Sequence, residues 1–473
     1  MHRVITLCVV SILLCQIMFI MPVQAGRVGL EKEKAELNWK HQLLFAAEDF
    51  ATLDLSMNKL QREYEAGKWS DQDLNNLFFV PFSGHALEFE KIYTKWIKAH
   101  PKSYAARQLR GFYFDRLMTK HYREAWAKRP FKNLKGVPSE QADKIKHYAA
   151  LALKDYKAAI KLGAKKPVLA YRGMIRVYAS LGDITTSQKV FALGLKTAPQ
   201  NVIVRQIYMG WLDSKEYYKS ESSLAKMRKI VNELPSDKTR STYKDVVNIF
   251  HMRLLKDGQY AELDKRLNRI QKDYEAGTVD DRTLFLYFYA LGEATPEYTE
   301  NFNLWVKKYP KSYAARQARG TYFLSAAWKA RGEAYAADTS KSELKGLGHY
   351  WERALRDTKD AITLTAKPTL SYRTRVTLFM AMGEDYNVKV SLEHANHIAP
   401  KNTIVRRAYM HYLQGRWGGN LEEMEAYLEH VKEIGLPHDV VRSFEDAILT
   451  EKKWLAEQHK KNFDKMGKLV TGL

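Results

Sequence analysis

Apolar residues recur three and four positions apart along most of the chain beyond residue 26. Tyr171, Ile175, Tyr178 and Leu181 are one example, and this spacing places side chains on a single face of an α-helix. Short breaks that contain Gly, Pro, Asn or Asp separate these segments. No run of alternating apolar and polar residues with flanking turns predicts a strand. The pattern therefore predicts an all-α fold.

Two glycine–proline spacings make the prediction more specific. Gly182 ends one predicted helix, and Pro199 closes the next one seventeen residues later. Gly383 and Pro400 repeat this spacing. Glycine permits a tight turn between antiparallel helices, and proline cannot continue the second helix. The spacing is typical of a tetratricopeptide-type hairpin, while the remaining segments depart from that signature. We expect an irregular tetratricopeptide-like solenoid, in which each helix pair buries its face on the next.

The chain repeats itself at an interval of about 200 residues. The segment Pro-Lys-Ser-Tyr-Ala-Ala-Arg-Gln at 101–108 recurs without change at 310–317, and Tyr-Glu-Ala-Gly at 64–67 recurs at 274–277. Further matches follow in the same order with little drift in spacing. The repeat predicts two homologous helical-repeat domains, at 27–235 and 236–473.

The N-terminal segment 1–25 has the pattern of an export signal. A short basic start leads into an apolar run that Pro22 ends, and Val23-Gln24-Ala25 offers a signal peptidase the small residues that it accepts. We expect cleavage before Gly26 and a periplasmic or secreted protein. The alternative is an uncleaved anchor, the one case in which the sequence predicts membrane association. Both cysteines, Cys8 and Cys15, lie in this segment, so the cleaved chain excludes disulfides, thiolate metal sites and cysteine nucleophiles.

The formal net charge is +22, and it is unevenly distributed. Residues 101–200 contain 21 Lys and Arg against 6 Asp and Glu, and residues 301–400 contain 16 against 9. Charge of this kind concerns partners rather than fold. It suggests an anionic envelope component or an acidic protein as partner, and an ordinary solvated basic surface is the alternative. Nucleic acid is not expected as a partner after export.

Six candidate binding residues lie on or beside one helical stripe in each of these two basic segments. They are Arg107, Arg110 and Tyr113 in the first half, and Arg316, Arg319 and Tyr322 in the second. Guanidinium groups beside tyrosines could form a groove for a carboxylate or another anion. In the alternative interpretation the aromatic side chains are core and the arginines pair with nearby carboxylates.

The second half also contains a set of residues that resembles a known family. They are Arg319, Gly320 and Tyr322, then Trp328-Lys329-Ala330-Arg331-Gly332, Ala399-Pro400, Tyr409-Met410 and Arg416-Trp417-Gly418-Gly419. This resembles the bacterial domain-of-unknown-function family 4034, and the chain looks like two tandem copies. In the first copy the Arg-Trp-Gly-Gly positions hold Lys215, Glu216, Tyr217 and Tyr218, so the motif is lost there. Arg416 and Trp417 could form a recognition loop or a turn between helices. The resemblance supplies no catalytic residues.

The sequence carries none of the common enzyme motifs, and no cofactor or metal is predicted. His394 and His397 have a spacing that two zinc ligands could use, but no third ligand is identifiable. The leading hypothesis is an exported binding or scaffolding protein of the cell envelope, with no catalytic residues. The alternatives are a periplasmic inhibitor or immunity protein that binds a toxin, and an envelope hydrolase with its site between the two halves.

Overall fold

The chain is an all-α protein. A computed structural model describes residues 28–83, 88–128, 137–214, 221–234, 243–292, 295–332 and 340–471. These residues form helices and turns and contain no strand, which confirms the predicted fold class. The predicted export signal at 1–25 lies outside them. Within the ranges just given, no helix is both long and apolar enough to cross a membrane.

The chain divides into two compact units, residues 28–234 and residues 235–473. The helices of the first unit are α1 (Val28–Ala46), α2 (Phe50–Glu65), α3 (Asp71–Phe79), α4 (Phe89–Ala99), α5 (Tyr104–Lys128), α6 (Ser139–Lys161), α7 (Val168–Ser180), α8 (Ile184–Thr197), α9 (Val202–Leu212) and α10 (Glu221–Asn232).

The second unit repeats this order of helices. They are α11 (Lys244–Lys256), α12 (Tyr260–Glu275), α13 (Asp281–Gly292), α14 (Thr299–Lys308), α15 (Tyr313–Arg331), α16 (Lys341–Ile362), α17 (Thr369–Met382), α18 (Asp385–Ile398), α19 (Ile404–Tyr412), α20 (Leu421–Glu433) and α21 (His438–Thr471). Helices α1 to α10 correspond in order to α11 to α20. The long α21 follows as an addition.

The predicted glycine-closed hairpin is present in both units. Gly182 follows α7 with φ +79°, and Gly383 follows α17 with φ +70°, a left-handed conformation that costs glycine little. The Asp183 side chain then accepts a hydrogen bond from the Thr186 amide at 3.0 Å and caps α8. Each hairpin therefore turns where the sequence predicts it.

Four helices in each unit close into a ring. In the first unit α3 contacts α5, α5 contacts α7, α7 contacts α9, and α9 returns to α3. The Asp71 carboxylate at the start of α3 accepts a hydrogen bond from the Val202 amide of α9 at 2.6 Å. In the second unit Asp281 of α13 likewise accepts from the amide of Thr403 and, at 3.2 Å, from that of Ile404. An N-terminal carboxylate thus caps a helix that lies far along the chain.

Candidate functional site

The predicted arginine pair of the first unit is bound to one buried carboxylate. Asp155 of α6 is 1% exposed. Its two carboxylate oxygens accept hydrogen bonds from Arg107 Nη1 at 3.0 Å and from Arg110 Nε and Nη2 at 2.7 and 2.9 Å. Arg110 is thus held by two parallel bonds, the strongest geometry for this pair. The guanidinium groups are largely buried, and the contacts join α5 to α6.

The second unit contains the same arrangement with one more acid. Arg316 and Arg319 of α15 donate to Asp357 of α16 at 3.1, 2.7 and 2.7 Å. Arg316 Nη1 also lies 3.0 Å from a carboxylate oxygen of the half-exposed Asp360. These are the contacts of the structural interpretation, in which arginines pair with nearby carboxylates. A binding role for either pair stays a prediction.

The unchanged segment at 101–108 and 310–317 combines a helix cap with these ion pairs. The Ser103 hydroxyl accepts from the Ala106 amide at 3.0 Å, and that of Ser312 from the Ala315 amide at 3.1 Å. The two consecutive alanines of each copy, at 105–106 and 314–315, are fully buried. Tyr113 and Tyr322, the predicted partners of the arginines, are also buried core residues. Capping and packing thus account for the serine and the two alanines that the copies share, and the ion pair accounts for the arginine.

The Arg-Trp-Gly-Gly motif forms a turn between α19 and α20. Gly415–Trp417 is one 3-10 turn, and the half-buried Trp417 ring lies edge-on to Trp328 of α15 with 5.5 Å between centroids. The Arg331 guanidinium lies 5.6 Å from the Trp328 ring and 5.8 Å from the Trp417 ring, which is cation–π distance. We call these three residues the tryptophan–arginine cluster.

Both glycines of the motif have a conformational reason. Gly418 has φ +98°, and a Cβ at Gly419 would lie 2.2 Å from the Leu413 carbonyl oxygen. The turn that places Trp417 against Trp328 therefore needs glycine at both positions. Arg416 is exposed beside it. The corresponding positions 215–218 of the first unit lie outside the described residues.

A metal site was the remaining candidate, with two histidines as possible ligands. His394 and His397 are both exposed on α18. Nowhere in those ranges do three or more His, Cys, Asp or Glu side chains meet in a group that could hold a metal ion.

Sequence reasoning missed one cluster, on the ring helices of the first unit. Arg176 of α7 pairs with the carboxylate of Asp115, and Arg116 of α5 and Arg172 of α7 are both close enough to Arg176 and Asp115 to feel their charges. Arg172 and Arg176 are four residues apart, which places them on one helix face. The net charge of segment 101–200 was a signal that arginines accumulate there, but their meeting point depends on how α5 packs on α7.

Comparison with known families supports the resemblance in the second unit. Residues 248–386 match the family described as "Domain of unknown function (DUF4034)". This confirms the resemblance over those residues, which include Trp328 and Arg331 but end before Trp417. The match leaves the first unit uncovered, so its relation to the family rests on the internal repeat. No curated protein matches the chain.

Two solved structures similar to the chain can be compared with it. One is titled "Crystal Structure of the Yeast Tom70", with 12% identity, a TM-score of 0.26, and coverage of 94% of this chain and 100% of that chain. The other is titled "Structure of Naa15/Naa10 bound to HypK-THB", with 12% identity, a TM-score of 0.21, and coverage of 86% and 69%. Likeness at this level says nothing about the function of this chain.

Proposed function

We propose that the chain is an exported helical-repeat protein that binds or scaffolds another protein of the bacterial cell envelope and catalyses no reaction. Helical hairpins stacked side by side present long rows of side chains, and proteins built this way use such surfaces for binding. The fold thus supports a protein-binding role. An anionic envelope component is the alternative ligand, and the net charge of +22 favours it.

The observation that carries the proposal is the tryptophan–arginine cluster. Tryptophan and arginine are the residue types that most often dominate binding energy at protein interfaces. Here Arg331 stacks on two half-buried indoles, and the exposed Arg416 lies next to Trp417 in the same turn. The Trp417 Nε1 is buried and has no hydrogen-bond partner. The surface therefore combines aromatic area with fixed positive charge.

Affinity capture from envelope extracts with a Trp417→Ala control tests this role. We expect the unaltered chain to retain a stoichiometric protein partner and the Trp417→Ala chain to lose it. Because Trp417 also contacts Trp328, the melting temperature of each variant is measured as well. Arg416→Gln, at an exposed position, provides a second variant that leaves the packing intact. Equal retention of the partner by all three chains would contradict the assignment of the surface.

Export is a separate part of the proposal and has its own test. Mass spectrometry of the protein from the periplasmic fraction should show a mature chain that begins at Gly26. A chain that retains residues 1–25 in the membrane fraction would favour the anchor instead.

A further inference from the structure

An arginine–phenylalanine cluster lies where α3, α5 and α7 of the first unit meet. We define it by the residues Phe79, Phe112, Arg116, Arg172 and Arg176. The Phe79 and Phe112 rings stack with their centroids 4.0 Å apart. The Arg172 guanidinium lies 5.0 Å from the Phe79 ring, and that of Arg116 lies 5.7 Å from the Phe112 ring. The stacked rings hold two guanidinium groups in place, which restricts their motion before any ligand arrives.

The positive charge of this cluster is only partly neutralised. Asp115, fully buried, accepts from Arg176 Nε at 3.0 Å and from the Tyr156 hydroxyl at 3.1 Å, both through Oδ2. One carboxylate thus faces three guanidinium groups. Burial, and then the nearby Arg176, lower the pKa of Arg172 to about 10, which still leaves it charged at neutral pH. These four side chains, three arginines and one aspartate, together carry a net charge of +2.

Several buried polar atoms in the cluster and next to it also lack hydrogen-bond partners. They are Arg116 Nε, Arg172 Nη1, Asp115 Oδ1 and both amide atoms of Gln108. Gln108 is fully buried and precedes Phe112 and Arg116 by four and eight residues, so it lies on the same face of α5. Unpaired buried groups of this kind are rare in folded proteins, because each loses its bonds to water. Each of the three arginines keeps part of its side chain exposed, while the unpaired atoms named above are themselves buried.

The second unit does not repeat the cluster. The positions that match Phe112, Asp115, Arg116, Arg172 and Arg176 hold Thr321, Leu324, Ser325, Arg373 and Thr377. There Gln317, the counterpart of Gln108, is fully bonded: Nε2 donates to Thr321 at 3.0 Å, and Oε1 accepts from Ser371 at 2.6 Å. The unpaired groups are therefore no general requirement of the ring, and only one arginine of the three remains.

We propose that the arginine–phenylalanine cluster binds a dianionic oxyanion that retains one hydroxyl group, as hydrogen phosphate does. The oxygens would accept from the free guanidinium N–H groups, and two negative charges would balance the two excess positive charges. The hydroxyl would donate to Asp115 Oδ1, an acceptor that sulfate cannot satisfy. Free inorganic phosphate has this chemistry at neutral pH, whereas the dianion of a phosphate monoester has no hydroxyl group left to donate. The inference stands independently of the proposed function, which concerns the second unit.

Calorimetric titration of the full chain with inorganic phosphate, at constant ionic strength, tests the site. Arg172→Gln should weaken phosphate binding roughly tenfold or more, as expected for the loss of one charge-assisted hydrogen bond. Arg373→Gln removes the matched arginine of the second unit and should leave binding unchanged. Binding that is equal in the unaltered and Arg172→Gln chains, or weakened as much by Arg373→Gln, would overturn the proposal.

Further titrants identify the ligand class. Sulfate should bind at least several-fold more weakly than phosphate, and equal binding would refute the role of Asp115 Oδ1. The dianion of phenyl phosphate also has no hydroxyl group, so it should bind as weakly as sulfate, and binding as tight as that of phosphate would refute the role of Asp115 Oδ1 as well.

The melting temperature measured without ligand serves as the control for folding. We expect Arg172→Gln to leave the melting temperature unchanged, because the substitution removes charge repulsion. If that chain does not fold, Arg116→Gln on α5 takes its place and should weaken phosphate binding similarly. Unchanged binding by a folded Arg116→Gln chain would also overturn the proposal.

Discussion

Replacing Asp155 by asparagine should destabilise the first unit. The change leaves Arg107 and Arg110 next to a neutral amide, whose NH2 group cannot accept their hydrogen bonds. Breaking a fully buried ion pair costs about 3–5 kcal/mol. The two arginine side chains are 23% and 15% exposed, so water recovers part of this loss. We therefore expect a loss of about 2–4 kcal/mol in the free energy of unfolding, or roughly 5–15 °C in melting temperature for a domain of this size.

The second unit supplies a matched control. Asp357→Asn removes the corresponding carboxylate, but Arg316 keeps its 3.0 Å contact with Asp360. The loss should therefore be about 1 kcal/mol smaller than for Asp155→Asn, the contribution of a partly exposed pair. Position 158, which matches Asp360, is alanine. Adding Ala158→Asp to the Asp155→Asn chain should then recover part of the loss.

Hydrogen exchange localises the effect to each unit. Urea denaturation of the full chain gives the free energy, and exchange measured by mass spectrometry should show faster opening of α5 and α6 in the Asp155→Asn chain. For Asp357→Asn the same change should appear, more weakly, in α15 and α16. Equal losses in both chains, or no rescue by Ala158→Asp, would refute the role assigned to Asp360. An unchanged Asp155→Asn chain would refute the ion-pair reasoning itself.

Four further substitutions follow from buried contacts. In phosphate-free buffer Gln108→Leu should keep or raise the free energy of unfolding, since the Gln108 amide has no hydrogen-bond partner. Gln317→Leu should instead lower the free energy of unfolding by about 1–3 kcal/mol, because the Gln317 amide is bonded. Urea titrations that give the reverse order would contradict this. Gly173→Ala should cost about 1–3 kcal/mol in the same assay despite the higher helix propensity of alanine, because the new Cβ would lie 2.2 Å from the Tyr156 ring. Burial, and then the charge of Arg266, lower the pKa of His251 to about 3. Between about pH 6.5 and 3 the unfolded chain therefore binds a proton at His251 that the folded chain does not, and the free energy of unfolding falls as the pH drops through this range. His251→Gln should flatten this part of the pH profile of the urea midpoint, and parallel profiles would count against it.

The fold was accessible from the sequence because its determinants are local. Gly182 and Gly383 turn the chain where a left-handed residue is needed, and the apolar spacing within each helix follows from 3.6 residues per turn. The internal repeat supported the helix boundaries further, since each helix could be compared with its counterpart in the other half.

The ion pairs and the arginine–phenylalanine cluster were less accessible because they depend on distant residues. Arg107 and its acceptor Asp155 are 48 residues apart, and Arg176 and Asp115 are 61 apart. The sequence indicated that the arginines share a face, but which carboxylate they meet depends on the packing of α5 on α6 and α7. An excess of charge over a hundred residues does not reveal which three side chains converge.

The bond that closes each ring limits how such a protein can grow during evolution. In an open array each hairpin touches only its neighbours, so a single hairpin can be added or lost. Here Asp71 caps a helix 131 residues further on, and Asp281 caps one 122 residues further on. Copying one hairpin would separate a carboxylate from its helix or leave the amides of a helix start without an acceptor. The smallest segment that a gene can duplicate with every cap intact is therefore the whole ring, which fits a repeat of about 200 residues instead of one hairpin.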